Sequence, residues 1–169
     1  MKRIIAAALL LALPLTGCSG KKAEQTLTPE ARTHLYETAI TAARDAETNQ
    51  YQPVLTSSED ENADLIFSLL NVSAGDMSAF ALSVSPMNVK AYAVAAVYPA
   101  AGKEDAVLEG LRGFVESQRQ SFEQYLPDQY EIAVNARLET LEDGTAILVM
   151  CEGQDSVFDA IRDAIERGK

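Results

Sequence analysis

The chain has no tryptophan, one histidine and two cysteines, and its 14 Lys and Arg residues face 25 Asp and Glu. Each shortage closes off a class of function. With no tryptophan and only 7% aromatic residues, there is little to stack a sugar ring in a carbohydrate cleft. A lone His34 cannot provide the several His or Cys ligands of a usual zinc site, nor is a serine positioned beside it for Ser-His-Asp chemistry. No G-x-S-x-G elbow, phosphate-binding loop or dinucleotide fingerprint occurs, so no cofactor and no metal are expected. The formal net charge of −11 repels nucleic acid, which excludes it as a partner.

Long apolar runs are also missing. The nearest, Ile4 to Leu15, spans twelve residues, short of the roughly 20 that a membrane-spanning helix needs. It follows the basic pair Lys2-Arg3 and leads into Leu15-Thr16-Gly17-Cys18. Basic start, apolar centre and small residues before a cysteine form a bacterial lipoprotein leader, with cleavage between Gly17 and Cys18. The Cys18 thiol takes up a diacylglyceryl group, and acyl chains contribute roughly 0.8 kcal/mol per buried methylene. The expected location is the outer face of the bacterial cytoplasmic membrane, with the membrane itself a partner through the lipid.

Removing residues 1–17 leaves 12 basic against 25 acidic residues, a net charge of −13. Residues 18–27 are polar and small, as in a flexible tether, and 28–169 form one α+β domain. With Cys18 acylated, Cys151 has no partner for a disulfide. It lies in the apolar run Ala146 to Cys151, where a thiol behaves as a small buried hydrophobe.

Local patterns set the element order. Thr28 and Pro29 start a helix running to Thr48, with Ala31, Leu35, Ala39, Ala43 and Ala46 on its apolar stripe. A second short helix covers Asn62 to Leu70. Phe80 to Val84 and Tyr92 to Tyr98 alternate as two antiparallel strands, and Lys103 to Tyr125 returns to helical spacing. Tyr130 to Leu138 alternates again and is expected as a strand, joined through the turn dipeptide Asp143-Gly144 to a return strand ending at Cys151. Asp155 caps a last helix that stops at Gly168. The result is a four-stranded, mostly antiparallel sheet in a ββαββα order, preceded by two helices. Both later helices are expected on one face. The other face, with Ala81, Ser83, Ser85, Ala93, Ala95, Val97, Ala133, Asn135 and Arg137, is covered either by the N-terminal helices or by a partner.

Several segments invite chemistry that their spacing does not support. Four acids between Glu59 and Asp64 lack the alternation and distal glutamate of a calcium loop. Gly110-Leu111-Arg112-Gly113 has the spacing of a KH-type loop but lies in a helical pattern, where close packing or a local bend explains the glycines better. Tyr125 to Tyr130 is an aromatic cluster around Pro127; Tyr125 and Tyr130 are candidate partner contacts, or else rings packed where a helix meets a strand.

From about Leu35 to Ile161 the arrangement resembles a family of small lipoproteins of unknown function found in Gram-positive, gut-type Clostridia. The resemblance rests on Leu15 to Cys18, the paired strands Phe80 to Val84 and Tyr92 to Tyr98, Tyr125-Leu126-Pro127, and the hairpin around Gly144 leading to Ile147-Leu148-Val149. Thr145-Ala146 stands where such proteins often place an aromatic residue. The resemblance implies location and fold, with no reaction or ligand. Two functions follow: a non-enzymatic binding or accessory lipoprotein for an envelope protein, peptide or small ligand, or an envelope hydrolase using paired carboxylates.

Overall fold

The computed structural model describes residues 27–168. Helix α1 (Pro29–Ala42) starts as expected, with the Thr28 hydroxyl accepting from the Ala31 amide at 3.2 Å. It does not run on to Thr48. Asp45 accepts from the Thr48 amide at 2.7 Å and starts a separate helix, α2 (Ala46–Tyr51). A carboxylate beside freed helical N–H groups favours a new start over continuation. The buried face of α1 is Arg32, Tyr36, Ala39 and Ile40; of the expected stripe Ala39 is buried, Leu35 and Ala43 pack half-buried against the same cluster, and Ala31 and Ala46 are exposed.

Helix α3 (Ala63–Leu70) ends at Asn71 in the left-handed conformation (φ 53°), followed by a 3₁₀ turn at Ala74–Asp76. Strands β1 (Met77–Val84) and β2 (Ala93–Pro99) form the expected hairpin, and helix α4 (Glu104–Phe122) follows. The segment after α4 departs furthest from the expected pattern. The alternating segment from Tyr130 is mostly helix α5 (Pro127–Val134), and only Arg137–Thr140 forms a strand, β3. Pro127 suits the first helical turn. Leu126, Tyr130 and Ala133 then fall at helical spacing into the core beside α4. Arg119 of α4 donates to the Ala133 and Val134 carbonyls at 3.1 and 2.9 Å, satisfying groups that the end of α5 leaves open.

Strand β4 (Ala146–Met150) and helix α6 (Gln154–Arg167) follow as the last described elements. The hairpin glycine is Gly144 (φ 90°), as its turn requires. Gly153, not Asp155, occupies the N-cap of α6, and Asp155 lies in its first turn.

The sheet order is β1-β2-β4-β3, antiparallel throughout. Helices cover both faces. On one, α3, α4 and α5 pack on Phe80, Leu82, Ala95 and Leu148; on the other, α1 and α6 pack on Ala81, Val94, Ile147 and Val149. Helices α4 and α6 are therefore on opposite faces, contrary to expectation. The register explains the split: Leu82 faces Ala95 and Ser83 faces Val94, so Ala93, Ala95 and Val97 join the Leu82 side rather than the Ser83 side. The Ala81 face is covered intramolecularly, by α1 together with α6. Fully buried Leu111, Phe122, Phe158 and Ile161 anchor the two layers, each contributing roughly 1.5–3 kcal/mol by leaving water.

Candidate functional site

The break between α1 and α2 places Arg44 at the end of the sheet where β1 finishes, β2 begins and β4 leaves. A cleft of about 640 Å³ opens there, within the range of small-ligand sites. Its sheet-side floor is Ala91, Tyr92 and Cys151, with Ile132 of α5 and Val157 of α6 opposite Ala43 and Arg44. Met87 and Val89, in the β1–β2 loop, stand at the rim with 53% and 59% of their surfaces exposed.

Arg44 is held rigidly by neutral groups. Its Nε and Nη2 donate to Asn49 Oδ1 at 3.1 and 2.7 Å, and its Nη1 donates to Ser83 Oγ at 2.8 Å and to the Tyr92 hydroxyl at 2.6 Å. These acceptors are themselves fixed. Asn49 donates to the Thr41 carbonyl at 2.9 Å, and Ser83 donates to the Gln52 carbonyl at 2.9 Å. Every other arginine that is buried or half-buried among the described residues reaches a carboxylate: Arg32 to Asp143, Arg119 to Glu116, Arg137 to Glu139 and Arg162 to Asp159. Arg44 does not. The charge of its guanidinium is oriented but not neutralised.

A second cation lies close by. Lys90 Nζ is 5.6 Å from the centre of the Tyr92 ring and has no carboxylate partner among the described residues. Burial raises the Tyr92 phenol pKa while Arg44 opposes the rise, so the hydroxyl stays protonated at neutral pH. Gln129 fixes the facing wall, its Oε1 accepting from the Ala91 amide at 2.8 Å and leaving its amide N–H groups to other acceptors.

The two acids on the rim, Asp45 and Glu152, differ in what they do. Backbone and side-chain hydrogen bonds from Thr48 hold the Asp45 carboxyl below the usual carboxylate range, the opposite of what a general acid needs. Burial pushes the Cys151 thiol up to about 11. It is protonated and poorly nucleophilic at neutral pH, in keeping with a structural cysteine. Among the described residues no group of three or more His, Cys, Asp or Glu side chains is placed to hold a metal ion.

Gly17 and Cys18 lie outside the described residues. Tyr125 is 82% exposed, whereas Tyr130 is half-buried against the α4 side of the core. Neither lines the cleft, and His34 is exposed on α1. The sequence reading missed Arg44, Lys90 and Tyr92 as a group. One signal was available: Asp45-x-x-Thr48 is a helix-start pattern, and it places Arg44 in a connector instead of on a helix.

The β1–β2 hairpin, α3, α4, α5 and the β3–β4 hairpin fall within residues 54–151, the segment that matches the model of a domain of unknown function, DUF4358. The chain belongs to the DUF4358 family. In this DUF4358 protein the matched segment carries Lys90, Tyr92 and Cys151, while α1, Arg44 and α6 lie outside it. The cleft thus joins the family segment to the flanking helices. No curated protein and no solved structure matches the chain.

Proposed function

We propose that this DUF4358 protein is a lipid-anchored, extracytoplasmic binding lipoprotein of the Clostridial type, held on the outer face of the cytoplasmic membrane through Cys18. It captures a ligand in the cleft at the end of the sheet without transforming it. The observation that carries the binding role is Arg44: a guanidinium held by Asn49, Ser83 and Tyr92, all neutral, on the wall of an open cleft. Desolvating and orienting a charge without neutralising it costs stability in the free protein, and a ligand that engages that charge offsets the cost. Cys151 and Asp45, which line the same cleft, are respectively protonated and occupied by helix capping, which favours binding over catalysis.

Two measurements test this. Labelling with an alkyne fatty acid and membrane fractionation should find the wild type acylated and membrane-bound, and Cys18→Ala unlabelled and released; a Cys18→Ala protein still firmly in the membrane refutes the anchor. A thermal-shift screen of small polar metabolites and short peptides on the detergent-solubilised protein should give hits that Tyr92→Phe or Arg44→Gln suppresses. A screen with no such hit refutes the binding role.

A further inference from the structure

We infer that the cleft recognises a monoanionic carboxylate carrying an adjacent apolar group, as in the free carboxy end of a short peptide or in a small branched organic acid. The inference rests on the cleft being a binding site, and it names what binds there.

Arg44 and Lys90 both line the cleft and both contact Tyr92, and among the described residues neither has a carboxylate in ion-pair contact. Four of the five guanidinium N–H bonds of Arg44 already point at neutral oxygens, leaving one on Nη2. Lys90 brings three more donors on a flexible stem. That supply suits a single carboxylate shared between the two cations. It does not suit a phosphate, whose extra charge would also meet Asp45 and Glu152 on the rim and the negative field of residues 18–169, 12 basic against 25 acidic. Charge-assisted hydrogen bonds to a carboxylate are roughly twice as strong as neutral ones.

The surroundings supply the second half of the recognition. Met87, Val89, Ile132 and Val157 give the cleft an apolar wall, and Met87 can adapt its unbranched chain to different ligand shapes. The Gln129 amide, anchored through Ala91, can donate to a peptide carbonyl. Carboxylate on the cations, side chain against Met87 and Ile132, and amide toward Gln129 make one consistent pose.

The test is calorimetry on the full-length lipoprotein in detergent, with matched probes: N-acetyl-leucine, its uncharged amide N-acetyl-leucinamide, 4-methylvalerate and inorganic phosphate. The acid should bind at least about tenfold more tightly than its amide, and phosphate should not compete. Arg44→Gln and Lys90→Gln should each weaken the acid about tenfold or more, and the acid more than the amide. Lys90 is exposed, so its substitution keeps the test valid if Arg44→Gln fails to fold. N-acetyl-leucine binding tighter than 4-methylvalerate identifies a peptide terminus; the reverse identifies an organic acid. Equal binding of acid and amide, or acid binding untouched by both substitutions, overturns the inference. If neutral or cationic hits from the thermal-shift screen still depend on Tyr92, the binding role survives that failure and only the ligand class is lost.

Discussion

The guanidinium of Arg32 lies 3.8 Å over the ring of Tyr98, clamping the first turn of α1 onto the end of β2. From there Arg32 pairs with Asp143 at 2.7 Å in the β3–β4 turn and donates to the Tyr36 hydroxyl at 3.4 Å. Tyr36 is hydrogen-bonded to Thr145 at 2.7 Å, and the Thr145 hydroxyl also lies 3.0 Å from Asp143. Four side chains from α1 and the hairpin thus satisfy one another in a place where Tyr36 and Thr145 are fully buried.

Asp143→Ala leaves the Arg32 charge uncompensated at a site where the side chain keeps 10% of its exposure. The expected loss is about 3 kcal/mol, read from the shift in urea midpoint. Asp143→Asn, which keeps an acceptor, should lose less.

Two glycines of α4 should respond in opposite directions. At Gly110 an added Cβ would collide with the Asn71 carbonyl oxygen and sit 3.0 Å from the Leu70 carbonyl oxygen at the end of α3. Gly110→Ala is therefore expected to destabilise by about 1–3 kcal/mol. At Gly113 the same atom meets only the flexible Asn71 side chain at 3.6 Å, so Gly113→Ala should stabilise by roughly 0.5–1 kcal/mol. Thermal melts of the two variants give the comparison.

The Asp76 carboxyl is held below its ordinary value by the Ser73 hydroxyl and then by Lys103, which pairs with it at 3.0 Å. A carboxylate with a depressed folded pKa adds stability that is fully present above the unfolded value, near 3.8, and is lost as pH falls through the lower folded value. Melting temperatures followed from about pH 6 down to about pH 2 should therefore fall less steeply for Asp76→Asn than for the wild type. Parallel acid limbs would contradict the assignment.

Cys151 is buried, and its thiol is pushed up to about 11. In a Cys18→Ser protein, where it is the remaining cysteine, an aromatic disulfide reagent at about pH 8 should react orders of magnitude more slowly than with a free thiol of ordinary pKa near 8.5. Denaturant should restore the fast rate, and a fast rate in the folded protein would contradict the burial.

The strands Phe80 to Val84 and Ala146 to Met150 were legible, the first from its alternation ended by Pro86 and the second as a short apolar run behind the turn dipeptide Asp143-Gly144. Tyr130 to Leu138 was not. Over nine residues its apolar positions fit a period of two as well as a helix face, and the decision came from outside the segment: Leu126, Tyr130 and Ala133 pack into the core beside α4, and Arg119 satisfies the last carbonyls of α5. Register was hidden as well. Ala93, Ala95 and Val97 are too small to announce a face, and pairing with β1 and β4 assigned them. The cleft escaped notice for a related reason. Arg44, Lys90 and Tyr92 lie within 49 residues of one another yet meet only because a helix breaks at Ala43 and a strand begins at Ala93.

Helix α1 begins beside the β3–β4 turn and ends beside the cleft. Its 14 residues span about 21 Å at 1.5 Å each, so the Arg32–Asp143 clamp and the Arg44 cleft sit at opposite ends of one rod. That separation exceeds the roughly 8 Å over which physiological salt screens charge, so the Asp143 carboxylate at one end leaves the field at Arg44 and Lys90 almost untouched.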